Sequence, residues 1–364
     1  MKSILVILCK VAIIALSAAT AVALVAADAW WIRVLDFPRL QFAMLLTLFT
    51  SLLLCLKPAK PWAWASVGAL ALALQLFQLF PYSPLAPSQS AYTTHCTPGN
   101  KFTILSINVL QSNNSHSKIL KLVRKEQPDI VLAMETDQIW DNALSPLTKD
   151  YPSTLLRPQD NRYGMALYSK LLLKNAVIRD LTGEGTPSMR ARVQLSGGKT
   201  FNFFTVHPRP PHPGQNSGQR DAELVLLAAD VKKAGRPTIV VGDFNDVSWS
   251  SQMGIFQKIG KLIDPRRGQG FFATFNAHNP LLRWPLDHLF HTDDFGILNF
   301  KTGTVNGPDH FPLIATLCLN EARFRKPNAP PQADQNTREE AAEELRKGTG
   351  KDVQVKANKL ETRK

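Results

Sequence analysis

The chain has 364 residues, more than one average domain holds, of which 45% are hydrophobic and 20% charged. Its formal net charge of +13 would steer an anionic small molecule, a nucleic acid or a lipid headgroup equally well, so charge alone excludes none of these partners. There are four cysteines, and two of them, Cys9 and Cys55, fall inside apolar runs.

The apolar residues are concentrated at the start. Residues 4–27, 40–56 and 62–80 form three runs, each about long enough to cross a hydrocarbon core of ~30 Å as a helix. The first follows Lys2 and is rich in alanine, as a cleaved signal peptide would be. It is too long for a typical signal core, however, and two further spans follow at once. The short spacers, Asp28 to Arg39 and Lys57 to Pro61, suit three membrane-embedded helices rather than a buried globular core. Lys2, Lys57 and Lys60 lie on one side and Arg33 and Arg39 on the other, with nothing basic between Lys60 and Lys101. The positive-inside rule then predicts a cytoplasmic N-terminus and a multi-pass inner-membrane protein whose soluble domain is extracytoplasmic, that is, periplasmic.

From residue 81 to 100 the composition turns to Pro, Ser, Thr and Asn, which predicts an extended linker. The globular pattern then begins. Strands are predicted over 102–109, 129–134, 164–169, 191–195 and 201–206, with a helix over 118–126 between the first two. A helix over 218–234, a strand over 238–241 and strands over 286–290 and 313–319 follow. Residues 321–364 break at Ala329-Pro330-Pro331. A short charged helix is predicted from the capping-box sequence Thr337-Arg338-Glu339-Glu340, within an otherwise disordered tail.

Polar residues recur where these strands stop. Asn108 ends the first, Glu135 the second, and His207 follows Thr205-Val206. The run Thr238-Ile239-Val240-Val241 delivers Gly242-Asp243-Phe244-Asn245. Asp287 stands in Pro285-Leu286-Asp287-His288, within the next strand, and Gly307-Pro308-Asp309-His310 precedes the last. Singly, each has a plain reading: Asn108 as a turn former, Glu135 as a solvated charge, Asp309 as a turn cap, His212 as a loop residue, and His278 and His291 as surface residues. Together they can converge on one cleft at one edge of the sheets. They supply carboxylates, amides and imidazoles, the groups that phosphate-ester hydrolysis with a divalent cation requires.

In this combination and order the motifs resemble the endonuclease/exonuclease/phosphatase superfamily, the DNase I-like phosphoesterases, over about residues 101–319. The resemblance implies a four-layered α/β sandwich at 101–320; the three transmembrane helices of residues 1–80, the linker and the tail lie outside it. It implies that Glu135 is the principal ligand of Mg²⁺, or of Mn²⁺ in its place, with Asn108 and Asp309 near the same ion. Asp243 would orient or deprotonate the attacking water without needing a shifted pKa, and Asn245 would hold a phosphoryl oxygen. His310 would contact the scissile phosphate while Asp287 accepts its other ring proton, and His207 would face it across the cleft. His288, next to Asp287 on a strand, should point the other way.

In the same family the first and last strands lie side by side and antiparallel. Cys96 and Cys318 would therefore be close enough for a disulfide, which an oxidising compartment would keep. The function implied is a membrane-tethered, Mg²⁺-dependent phosphoesterase that cleaves phosphodiesters in a nuclease-like way, with nucleic acid favoured over lipid as substrate. A lipid-headgroup phosphodiesterase or phosphatase and a catalytically silent binding protein are the rival readings.

Overall fold

A computed structural model describes residues 1–25, 27–320 and 330–350, together with the backbone of residues 353–356 and 359–362. The expectation of disorder for 321–329, 351–352, 357–358 and 363–364 lies outside the described residues, whereas the backbone of Val353–Lys356 pairs antiparallel with that of Lys359–Thr362 where disorder is expected.

Three helices at the N-terminus, α1 (Lys2–Val22), α3 (Arg39–Leu56) and α4 (Pro61–Leu79), are long and apolar enough to cross a membrane. The first is shorter than the run 4–27 suggests. It ends at Val22, and residues 23–25 turn toward a short helix, α2 (Trp30–Arg33). Where the three pack together they bury Cys9, Ile13 and Leu53. One polar cluster is buried near the ends of the helices: Arg39 bonds Asp36 and the Gln75 amide oxygen, and Gln75 donates to Thr20 Oγ1 at 2.9 Å.

Apart from the C-terminal pair, the strands are β1 (Ala91–Tyr92), β2 (Lys101–Asn108), β3 (Ile130–Met134), β4 (Ser153–Arg157), β5 (Met165–Ser169), β6 (Leu172–Asp180), β7 (Pro187–Gln194), β8 (Thr200–Val206), β9 (Thr238–Asp243), β10 (Asp287–His291), β11 (Phe295–Thr302) and β12 (Leu313–Leu319). They form two mixed sheets, ordered β1-β11-β12-β2-β3-β5-β4 and β10-β9-β8-β7-β6. Period-two alternation splits each sheet into two faces. Phe102, Ile104, Ile130 and Leu132 meet Phe201, Phe203, Ile239 and Val241 between the sheets. The alternate residues Leu105, Ile107, Val131 and Ala133 pack outward with Ile119, Leu122 and Trp140, which belong to α5 (His116–Glu126) and α6 (Gln138–Leu144). On the far side, Phe204, Val206 and Val240 pack against α7 (Gly218–Ala234) and α8 (Ser251–Gly260). The layers are thus helices, sheet, sheet, helices.

Two further regions differ from the sequence expectation. The linker is docked: β1 pairs with β11, and Ser90 Oγ meets His291 Nε2 at 2.7 Å. That contact buries His291, which its sequence context marks as a surface residue. In the tail, α9 (Gln335–Thr349) packs against α7 and buries Ala341 and Leu345 in the α7–α8 core. Its N-cap is Asp334, which accepts from Thr337 N at 2.8 Å, and not the expected Thr337 capping box. The helix is amphipathic, and its few apolar residues share the one face that meets α7.

Cys96 and Cys318 are joined by a disulfide, Cα to Cα 5.7 Å. The topology brings them together, because β12 runs antiparallel beside β2 with Cys318 opposite Lys101.

Candidate active site

Parallel pairing of β2 with β3 and of β8 with β9 brings the C-terminal ends of all four strands to one edge of the sandwich. Antiparallel β10 and β12 begin at that edge, and Asp287 lies directly opposite Asp243 in the ladder. The strand-end residues therefore meet. A cavity of about 410 Å³ at this edge is lined by Asn108, Glu135, His207, Asp243, Asn245, Asp309 and His310.

Gly242 is required here because a Cβ would stand 2.0 Å from the Val206 carbonyl oxygen of the neighbouring strand. Glu135 and Asn245 both have left-handed backbone, with φ 62° and 50°. That conformation is disfavoured for residues with a side chain and costs roughly 1 kcal/mol or more each. It turns each residue off its strand at the cleft. Asn245 is held from both sides, its Nδ2 donating to Pro208 O at 2.9 Å and its carbonyl accepting from Arg220 Nη1 at 2.9 Å. Arg220 also pairs with Asp221 and Asp246, so it supports the loop and does not face the cleft.

Asp243 is the focus of the site. Its Oδ1 accepts from Asn245 N at 2.9 Å, and its Oδ2 lies 3.2 Å from Asn108 Nδ2 and 3.7 Å from both His207 Nε2 and His310 Nε2. The two imidazoles stand too far off for a direct hydrogen bond, at a spacing that an oxygen of water or substrate can bridge. Burial pushes the Asp243 carboxyl up; His310 opposes the shift and Asp287 adds to it. An unusual pKa is not needed for Asp243 to act as a base, but its carboxyl is shifted upward, first by burial and then by the Asp287 carboxylate on the adjacent strand.

His310 Nδ1 meets Asp287 Oδ2 at 2.7 Å, the pairing the sequence suggests. Burial acts to lower the His310 pKa, but the Asp287 and Asp243 carboxylates outweigh it and raise it to about 10. Asp287 is fixed in turn by Thr274, whose hydroxyl accepts from Asp287 N at 3.0 Å. His288 points away, its Nε2 bonded to Asp246 O at 2.8 Å.

Glu135 shares Oε1 with Asn108 Nδ2 at 2.9 Å, and Oε2 accepts from Gln111 N at 3.2 Å. Asp309 has a buried Oδ1 with no hydrogen-bond partner, and burial pushes its carboxyl up. Carboxylate oxygens on Glu135 and Asp309 with the Asn108 amide are the hard donors that Mg²⁺ takes, and the buried, partnerless Asp309 oxygen fits the role of a ligand. Asp243, Asp287 and His310 also gather closely enough to hold an ion. In that group the tight His310–Asp287 bond already uses one nitrogen and one carboxylate oxygen, which makes it the weaker cradle.

Residues that the motifs do not reveal complete the cleft. Tyr163 leans on His207 with ring centroids 5.5 Å apart, and Phe275 on His310 at 5.0 Å. Val34 and Phe37, from the connection between α1 and α3, line the same cavity with Trp284. Tyr163 sits just before a predicted strand end. Val34 and Phe37 are some two hundred residues from their neighbours in the site, and no local signal identifies them.

Residues 105–329 match the sequence model of the Endonuclease/Exonuclease/phosphatase family. Among solved structures, truncated Caenorhabditis elegans TDP2 superposes with a TM-score of 0.51 at 14% identity, covering 60% of this chain and 98% of that one. The human Nocturnin catalytic domain with bound sulfate anion gives a TM-score of 0.50 at 16% identity, covering 64% and 98%. Comparison with curated proteins gives no match.

Proposed function

Because the chain belongs to the endonuclease/exonuclease/phosphatase family and carries that family's metal-dependent phosphoesterase fold, we propose that it hydrolyses a phosphodiester by in-line attack of water at a membrane surface. The observation that carries this reading is the convergence of Asn108, His207 and His310 on one oxygen of Asp243, beside Glu135. Asp243 takes a proton from the attacking water. Its raised pKa suits a base working near neutrality. His310, kept protonated by Asp287, and His207 on the facing wall stabilise the charge growing on the phosphoryl oxygens. Asn245 holds a further oxygen through its amide. Glu135, Asp309 and Asn108 would hold the divalent cation, which supplies Lewis-acid stabilisation of the phosphoryl and leaving oxygens.

For the substrate, the walls of the cleft favour a phosphodiester resident in the membrane over nucleic acid. Val34 and Phe37 line it beside His310, and Gln41, in the first turn of α3, donates to the Leu281 carbonyl at 2.9 Å. Leu281 and Leu282 are 77% and 45% exposed on that loop. On a membrane surface these side chains would lie among the lipids whose headgroups reach the cleft. The net charge of +13 suits a polynucleotide and an anionic lipid alike and does not decide between them.

The test uses the full chain in detergent micelles and in vesicles, with bis-p-nitrophenyl phosphate, single-stranded DNA and phospholipid as substrates. Turnover of the small diester should require Mg²⁺ or Mn²⁺ and stop with EDTA. It should fall by roughly 100-fold or more in Asp243→Asn and His310→Ala. Absence of turnover in the folded, metal-loaded parent would refute the enzymatic reading, whereas cleavage of DNA but of no lipid would overturn the substrate assignment alone.

A further inference from the structure

A second cavity, of about 280 Å³, lies at the seam between the apolar helices and the catalytic domain and shares no lining residue with the active-site cleft. Its walls come from the ends of α1 and α4, from the connection holding α2, and from the segment that leads into α8. Three arginines line it, Arg33, Arg39 and Arg267, against one carboxylate, Asp36, which Arg39 already engages. The balance favours an anion.

Several polar groups at this seam are unspent. Arg33 is 6% exposed, Arg39 2% and Ser248 2%, yet Arg33 Nε, Arg39 Nε, Arg267 Nε and Ser248 Oγ have no hydrogen-bond partner. A buried donor left without a partner costs on the order of 1–3 kcal/mol. Four of them around one cavity point to a ligand that accepts hydrogen bonds. Arg33 is set in place by bonding Ser251 Oγ at 3.0 Å and by pairing with Asp221 at 3.9 Å. The ten-residue helix α8 also starts here, with Ser250 as its N-cap and Ser251 on the cavity wall. Its first-turn amides add to the preference for an anion, and planar guanidinium groups suit a phosphate.

The position brings one source within reach. Leu24 and Val25, 48% and 52% exposed, line the cavity just beyond the end of α1, and Pro81 and Tyr82 line it at the end of α4. In helices that span a bilayer, this is the depth at which phospholipid headgroups lie. We propose that the seam cavity is an anion site that takes a phosphate group, held by Arg33, Arg267 and Ser248. The phosphate belongs either to a phospholipid of the surrounding leaflet or to free phosphate. Its occupancy ties the helices to the catalytic domain and is independent of turnover.

The experiment measures phosphate binding to the full chain in detergent by calorimetry, with EDTA present to suppress any metal-dependent binding at the active site. Native mass spectrometry of the same protein, extracted in mild detergent, reads retained phospholipid. Ser248→Ala removes a hydroxyl that bonds nothing and so keeps the fold, and Arg267→Gln removes one charge; thermal unfolding confirms that both variants are folded. Binding of phosphate, or retention of one phospholipid, should be weakened at least about tenfold in Arg267→Gln and less in Ser248→Ala, and kept in His310→Ala. Phosphate without lipid assigns the site to the free anion, and retained lipid assigns it to the membrane. If the parent binds neither, or if His310→Ala loses what Arg267→Gln keeps, the proposal is overturned.

Discussion

At the scale of single residues, the cost of charge in a dry interior explains both the site and a liability beside it. Asp243 and Asp287 stand opposite each other on adjacent strands, and two imidazoles share the burden of that pair. Glu223 has weaker help, from the Thr186 hydroxyl and the Arg209 charge. Burial pushes its carboxyl up to about 8, opposed by the Thr186 hydroxyl bond, and its Oε1 has no hydrogen-bond partner. A carboxyl with a folded pKa above its unfolded one binds more protons in the folded state, so it withdraws stability as pH rises from about 4.5 toward about 8. Glu223→Gln should therefore melt higher than the parent at about pH 9 and lose that advantage near about pH 4, as thermal scans at the two pH values would show. The carboxylates and histidines of the candidate site are legible because each lies at or near a strand end, and strand ends share an edge. Tyr163, Phe275 and Trp284 were not, since an aromatic in a loop carries no sign of which ring it will meet.

At the scale of elements, strands with strong burial on both faces announced themselves and half-exposed ones did not. β2, β3, β8 and β9, each nearly a continuous apolar run, are legible as strands in the sequence. β6, a mostly exposed edge strand, and α8, which is short and carries glycines, are not. The tail helix is the instructive case. Its composition is that of a solvated segment, yet Ala341, Leu345 and the close approach of Gly348 to the Gly218 carbonyl lay it along α7. Lys347 reaches Asp28 at 3.1 Å, so the same helix also touches the connection after α1. Replacing Leu345 with Ala should cost about 2–5 kcal/mol, the range for a buried leucine. Denaturant unfolding checks this, because a mobile tail would leave the midpoint unchanged.

At the scale of the whole molecule, the helices and the catalytic domain form a continuous body and not a domain on a tether. Trp249 Nε1 donates to Asp36 O at 2.7 Å, Ser217 N to Asp28 O at 2.9 Å, and Tyr82 to Ser248 O. The disulfide adds a covalent clasp across 222 residues of sequence. By the loop-entropy argument its loss costs roughly 5 kcal/mol. Cys96→Ser should accordingly lower the melting temperature, and reduction should slow the migration of the parent on a denaturing gel; equal mobility with and without reductant would show that the bond is absent in the isolated protein. The clasp joins neighbours at the middle of the larger sheet, where β12 sits between β11 and β2. The strand that fills this central gap is the last of the sandwich to leave the ribosome. Until it arrives, β2 and β11 each present an unpaired backbone edge, so the nascent domain stays open to chaperones and to proteases through most of its synthesis.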